Sequence, residues 1–263
     1  MLHQVKFIQH KDFGKKKWKK YDTMMSNDKG NGFMAVYKEK ITKNFFEKKA
    51  WEQGHYTCGL DEVGRGCLAG PLVVGAVVIP PYTNYRLLKD SKVLTAEERL
   101  KAFAWIDKHC SWSIAFANHK VIDSINIYQA TLYAMRRAYL QLLEKLPFPV
   151  EKLKYVLIDA MPLSLDASFT HSALEYYHFP HGERLSASIA AASIVAKVMR
   201  DQLMEVMAQY FPVFGFEQHK GYATQQHISA LLSQGPTIIH RHSFIQNIKS
   251  EADIQEALQQ SLF

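Results

Sequence analysis

The sequence predicts an α/β chain: a five-stranded mixed sheet flanked by helices, followed by a helical C-terminal portion. Three observations predict it. Tyr56–Pro81 reads as a strand, an acidic tip, a tight turn and a second, valine-rich strand. A short apolar run, Tyr155–Ile158, stops at an acid, Asp159; open α/β sheets place their sites at such strand ends. Ile125–Leu143 and Ala187–Gln209 carry apolar residues at helical spacing.

Each element follows from local chemistry. Residues 1–51 form a basic, aromatic N-terminal extension, densest in charge at Lys15–Lys20, with Ser26–Gly32 reading as a flexible break. Lysines interleaved with Trp18, Tyr21, Phe45 and Phe46 suit stacking on nucleic-acid bases, although a solvated charge run is the plainer expectation. Phe33–Trp51 has the length for a helix. The first two strands pair as an antiparallel hairpin through Gly64, Arg65 and Gly66. Leu87–Arg99 is a loop carrying Asp90, Ser91 and Lys92, and it enters a helix through the capping-box pattern Thr95-x-x-Glu98. Ser111–Ala117 is the third strand. On the next helix Ile125, Tyr128, Leu132, Met135, Tyr139 and Leu142 should face the core, with Arg136 and Arg137 solvated. The two prolines of Leu146–Val150 end it.

Tyr155–Ile158 is the fourth strand, Asp166 a loop acid, and Leu174–Phe179 the fifth strand. The long helix Ala187–Gln209 should bury Ala191, Ile194, Val198 and Val206. Glu183 lies at or just before its N-terminus, where the helix dipole favours negative charge. Residues 52–210 thus form the core and 211–263 a helical C-terminal portion with a terminal tail. Within the latter, Pro212–Tyr222 is an aromatic loop, Thr224–Leu232 a short helix and Ser250–Leu262 a polar one. His240-Arg241-His242 is basic enough to touch phosphate or cap a helix, though one histidine there more often belongs to the core or surface.

With 263 residues, a net charge of +7 and a pI near 9.1, the chain can bury a real core and favours a polyanionic partner. Cys58, Cys67 and Cys110 lack metal-type spacing and are too few for a disulfide framework, which points to a reducing compartment. No run approaches the ~20 apolar residues of a membrane helix, and the start lacks a signal peptide's apolar core. A soluble cytoplasmic monomer is expected.

Asp61 and Glu62 are the informative pair. Adjacent carboxylates repel and raise each other's pKa unless a cation sits between them. Neighbouring strand residues point to opposite faces, so the strand must end or bend for both to serve one site. Glycines at 64 and 66 let the backbone approach a ligand, and Arg65 offers a fork to phosphate. This reads as a divalent-metal site beside a phosphate clamp; a solvated acidic turn is the bland alternative.

The motifs continue in order. After GLDEVGRGCLAGPLVVGAVVIP come KDSKVLTAEER (Lys89–Arg99), INIYQATLYAMRRA (Ile125–Ala138) and YVLIDAM (Tyr155–Met161). SASIAAASIVAKVMRDQLM (Ser186–Met204), FGFEQHKGYATQQHISAL (Phe214–Leu231) and GPTIIHRHSF (Gly235–Phe244) follow. Over roughly Tyr56–Phe244 the chain resembles ribonuclease HII, the type 2 ribonuclease H family. The resemblance implies a ribonuclease H-like fold with residues 52–210 as catalytic core. It implies a metal-dependent endoribonuclease cutting the RNA strand of RNA–DNA hybrids, and 5′ of ribonucleotides embedded in duplex DNA. The products would carry 3′-hydroxyl and 5′-phosphate ends. It further implies Mg²⁺ or Mn²⁺ held by Asp61, Glu62, Asp159 and Glu183, in keeping with the hard oxygen ligands those ions take. Gly64, Arg65 and Gly66 would grip the ribose, Ser91 and Lys92 would face phosphates, and the Tyr222 hydroxyl would contact the 2′-hydroxyl, the group separating RNA from DNA.

One departure stands out. The family's KGDxKSxSI segment is PHGERLSASI here, so Glu183 replaces aspartate while His181 and Leu185 replace lysines. The related type 3 enzymes also use glutamate there, but carry a different glycine motif and a large N-terminal domain. Asp201 is the other candidate acid, expected to be structural beside Arg200. Rival readings are a non-catalytic RNA–DNA hybrid-binding protein of the same fold, or an integrase-like relative. Retention of all four acidic positions argues against the first, and the GRG and KGY motifs argue against the second. The terminal QQSLF is similar to the bacterial sliding-clamp pentapeptide, with Gln259 as polar anchor and Leu262 and Phe263 as apolar plugs.

Overall fold

The structure, a computed structural model, describes residues 25–26, 42–163, 173–246 and 248. The run 15–20, Asp166, the helix expected over 250–262, and Gln259, Leu262 and Phe263 lie outside the described residues. In chain order the strands are β1 (Met25–Ser26), β2 (Tyr56–Val63), β3 (Leu72–Val78), β4 (Ser111–Ala117), β5 (Leu153–Asp159) and β6 (Glu175–Phe179). The helices are α1 (Phe45–Glu52), α2 (Ala96–His109), α3 (His119–Leu143), α4 (Gly182–Leu185), α5 (Ala187–Tyr210), α6 (Phe216–His219), α7 (Gln225–Gln234) and α8 (His242–Ile245).

The strands form one mixed sheet in the order β1-β6-β5-β2-β3-β4. β2 and β3 make the expected antiparallel hairpin, with Asp61 opposite Gly75. β5 runs parallel to both β2 and β6. The five predicted strands are all present, and the two-residue β1 adds an antiparallel edge to β6.

Every residue of β3 is buried, because both sheet faces are covered. One face (Leu60, Leu72, Val74, Val156) packs under Met135, Tyr139 and Leu142 of α3. The other receives α5, with α2 beyond it. The α5 approach is very close: a Cβ on Gly59 would stand 2.1 Å from the Ser188 backbone, and one on Gly75 2.4 Å from the Ala192 carbonyl. Residues 187–196 of α5 are buried on all sides, so this helix is a central rod rather than a surface amphipath. The capping box at Thr95 and Glu98 is formed in full.

Three core expectations need correction. Ile125 and Tyr128 are exposed, at 40% and 42%. Asn126 breaks α3 at φ 63°, and its Oδ1 accepts from the Gln129 amide, 3.0 Å, restarting the helix; of the expected stripe, Leu132, Met135, Tyr139 and Leu142 are buried. Val206 is 47% exposed because the end of α5 runs past the sheet. A third core cluster joins Leu68, Ala69 and Met204 to Phe214, Phe216, Ile228 and Leu231, seating the C-terminal helices beside the glycine turn. α1 packs on the sheet through Phe46 and Ala50, so the boundary expected at residue 51 falls inside a docked helix. Among the described residues no helix is long and apolar enough to cross a membrane.

Candidate active site

Asp61 sits near the end of β2 and Asp159 at the end of β5. The strands are parallel neighbours, with Leu60 in register with Ile158, so the residue that follows on each strand brings the two acids to one end of the sheet. β2 continues through Glu62 and Val63, paired to β3. α4 then returns the chain to the same place: the Gly182 amide donates to Asp159 Oδ1, 2.8 Å, and Glu183 follows, buried to 4% exposure.

The electrostatics show how closely the acids gather. Burial, then Glu62 and Asp159, push the Asp61 carboxyl well above its ordinary range, against bonds from Ser193 and the Glu62 amide. Burial and Asp159 raise Glu62 to about 7, although Arg65 opposes the shift. Burial raises Asp159, while the Gly182 amide and Lys92 pull it down. Glu183 is raised by burial and by Asp159. Repulsion of this kind at one locus is a deficit of positive charge.

The four acids offer hard oxygen ligands, and Glu62 Oε2 is buried with no hydrogen-bond partner. Both features fit a divalent cation of the Mg²⁺ or Mn²⁺ type. Among the described residues no three of His, Cys, Asp or Glu already stand at metal-ligand spacing. Asp201 is apart from them, paired with Lys197 at 2.7 Å.

The binding residues divide. Arg65 is half-buried and faces Glu62 Oε1 at 3.4 Å and Met161, while Gly66 is exposed with open space where a Cβ would be. Gly64 turns the chain at φ 90°, and a Cβ there would lie 2.3 Å from Arg200 Nε, so only glycine fits. Ser91 is buried against Ser193, Oγ to Oγ 2.9 Å; of that pair only Lys92 is exposed. Tyr222 is half-buried, its ring over the Arg200 guanidinium at 5.7 Å and its phenol against Cys67.

Sequence reasoning missed what holds these loops. Arg241, expected to meet phosphate or cap a helix, has no solvent exposure. It donates to the carbonyls of Gly64 (2.7 Å), Arg65 (2.8 Å) and Gly70 (2.9 and 3.0 Å). Burial lowers its pKa to about 10. Arg200, also buried, donates to the carbonyls of Ala69, Pro71 and Lys220. His240 and His227 are bonded Nε2 to Nε2 at 3.0 Å, and His227 Nδ1 lies 2.9 Å from the Tyr222 carbonyl. His240 Nδ1 accepts from the Thr237 amide. His240 Nε2–H therefore donates to His227, whose Nδ1–H donates to Tyr222, both rings neutral. Burial lowers His240 to about 4 and His227 to about 3. Asp90 was also missed: its charge raises both Asp159 and Glu183. No sequence signal marks these roles beyond the residues' place inside the motif segments: Asp90 in Lys89–Arg99, Arg200 in Ser186–Met204, His227 in Phe214–Leu231, and His240 and Arg241 in Gly235–Phe244.

A mixed sheet with acids at the ends of adjacent parallel strands, closed by a helix-borne glutamate, defines a ribonuclease H-like nuclease. The match narrows it further. The family model for ribonuclease HII covers residues 58–247, and the chain belongs to that family, whose members are endoribonucleases of RNA–DNA hybrids. Ribonuclease HII of Levilactobacillus brevis is 42% identical over 200 residues, covering 76% of this chain and 72% of the relative. That of Acholeplasma laidlawii is 41% identical over 201 residues, covering 76% and 92%. Among solved structures, the PCNA:RNase HII complex from Archaeoglobus fulgidus aligns with a TM-score of 0.57 at 24% identity, over 75% of this chain and 99% of that one. Bst-RNase HIII in complex with Mn²⁺ aligns at 0.56 and 17% identity, over 87% and 77%. Both likenesses speak to the fold. Metal binding is typical of the family.

Proposed function

We propose that this chain is a divalent-metal-dependent ribonuclease HII that cuts on the 5′ side of ribonucleotides embedded in duplex DNA as well as within hybrids. The products would be 3′-hydroxyl and 5′-phosphate ends. Asp61, Glu62, Asp159 and Glu183 would hold Mg²⁺ or Mn²⁺. Such ions supply a readily deprotonated water and stabilise the leaving oxygen. Supporting this reading is the gathering of four buried or half-buried carboxyls at one sheet end, all raised by burial and three of them, Asp61, Glu62 and Glu183, raised further by Asp159.

The chain's own residues supply the rest. The Ser193 hydroxyl, itself bonded to Ser91, fixes Asp61, and the Gly182 amide fixes Asp159. Exposed Lys92 lies close enough to Asp159 and Glu183 to lower both, which supports a role for it in meeting the scissile phosphate. The glycine turn and Tyr222 are tied together: the Leu68 amide donates to Gly221 O, 2.9 Å. One rigid unit would then read the ribose and its 2′-hydroxyl. Digesting a duplex with one embedded ribonucleotide beside an all-RNA/DNA hybrid tests this. A single 5′ cut, lost in EDTA and restored by Mg²⁺ or Mn²⁺, is expected. Cutting of the hybrid alone, or cutting in EDTA, would refute the reading.

The terminal Gln259, Leu262 and Phe263 would dock on the replication sliding clamp, the partner class seen with the Archaeoglobus fulgidus relative. Removing Leu262 and Phe263 should weaken clamp binding at least about tenfold with cutting unchanged. A full-length chain with no measurable clamp affinity ends the idea.

A further inference from the structure

Glu47 of α1 is fully buried. Its Oε1 accepts from the Ser186 hydroxyl and from the Ser188 amide, the latter at 3.1 Å. Three residues earlier, the Asn44 amide donates to Leu185 O at 2.6 Å, and Asn44 Oδ1 accepts from the Ala187 amide at 2.9 Å. Each residue from 185 to 188 is therefore bonded to Asn44 or Glu47. That stretch is the junction between α4, which carries Glu183, and the start of α5.

The bonds have a physical cause. A helix begins with amides that lack intrahelical partners. Ser186 Oγ takes the Ile189 amide at 3.1 Å, and acceptors from Asn44 and Glu47 take the two amides before it. The dipole of the 24-residue α5 favours a carboxylate at this end. α1 is fixed in turn by the sheet: Phe46 stacks among Tyr155, Tyr177 and Phe179 of β5 and β6. On the other side, the Ser186 amide donates to Gly182 O, and the Gly182 amide donates to Asp159. Glu183 thus lies inside a bracket running from α1 through the junction to Asp159.

We propose that Asn44 and Glu47 are positioning residues for the fourth metal-binding acid, setting the backbone from which Glu183 reaches the cation. This rests on the metal-ligand reading of Glu183. A glutamate has one more rotatable bond to order than the family's aspartate, so a fixed backbone matters more here. α1 lies ahead of the residues matched by the family model, 58–247.

The test uses the full-length chain and two readouts, Mn²⁺ affinity by calorimetry and kcat separated from KM on a hybrid. Glu47→Ala should weaken Mn²⁺ binding and lower kcat, each by about tenfold, as loss of a ligand's supporting bond does, with KM nearly unchanged. Glu47→Gln keeps the accepting oxygen and should recover most of both. Asn44→Ala should shift both in the same direction and serves if Glu47→Ala does not fold. Glu183→Gln separates the two ideas. Wild-type Mn²⁺ affinity and kcat in Glu183→Gln would remove the ligand reading and this inference with it. Weakened Mn²⁺ binding in Glu183→Gln, but not in Glu47→Ala or Asn44→Ala, would overturn the positioning role alone.

Discussion

Asp61→Asn is expected to lower cutting of a hybrid by roughly a thousandfold while leaving hybrid binding unchanged. The amide keeps the shape and still accepts from the Glu62 amide, as Asp61 Oδ1 does at 2.7 Å. It loses the charge that would help hold a cation. The same change should stabilise the metal-free protein at neutral pH. Asp61 is raised by burial and by two neighbouring acids, and Glu62 is raised from 4.5 to about 7. The folded state therefore holds these protons more tightly than the unfolded chain. Their stabilising contribution is complete at acid pH, below the ordinary carboxylate range, and is lost as pH rises towards 7. In EDTA, wild type should lose melting temperature across that window and Asp61→Asn should lose less. Added Mn²⁺ should restore wild type and do little for the variant. If Asp61→Asn melts below wild type at pH 7 without metal, the acids do not repel as described. If its turnover is unchanged, Asp61 leaves the mechanism.

The same acids show where sequence reading succeeds. The β2 tip, Asp159 at a strand end and the Thr95 box are local features, each decided by residues within a few positions. The bounds of Ser111–Ala117 are legible to the residue for the same reason. Failures begin where a break in the backbone or a distant contact resets a local pattern. Asn126 takes a left-handed conformation and shifts the phase of α3, exposing Ile125 and Tyr128. Glu183 reads as lying near a helix start, but its own one-turn helix is not legible, because that turn is held by Asp159 and by α1. The tripeptide at 240–242 reads as a phosphate contact because its composition is basic. The burial of Arg241 depends on carbonyls more than 170 residues earlier, which no local window contains.

Arg241→Met should destabilise the fold more than any substitution among the four acids. The side chain is apolar and follows the arginine stem as far as Nε, so it fills part of the space. It leaves the carbonyls of Gly64, Arg65 and Gly70 without their donor. Hydrogen bonds to a charged donor contribute about 1.5–3 kcal/mol each, and orphaned buried acceptors cost similarly. Relief of the buried charge, visible in the lowered pKa of about 10, offsets part of this. A net loss of about 4 kcal/mol, or roughly 8–16 °C in Tm, is expected for a chain of this size. Arg200 is no substitute, since each of its three nitrogens already donates to a carbonyl, those of Ala69, Pro71 and Lys220. Arg241→Lys should rescue little, because an ammonium lacks the planar fork that spans three carbonyls. The turn at residues 64–66 would loosen first, as Gly64 sits at φ 90° with its carbonyl bonded to Arg241. The surviving folded fraction should therefore show a raised KM for a single embedded ribonucleotide before any change in Mn²⁺ affinity. Melting within about 2 °C of wild type, less than the shift expected for 1 kcal/mol, would mean that water or another donor satisfies those carbonyls. The glycine turn would then owe its shape to its own sequence rather than to the guanidinium beneath it.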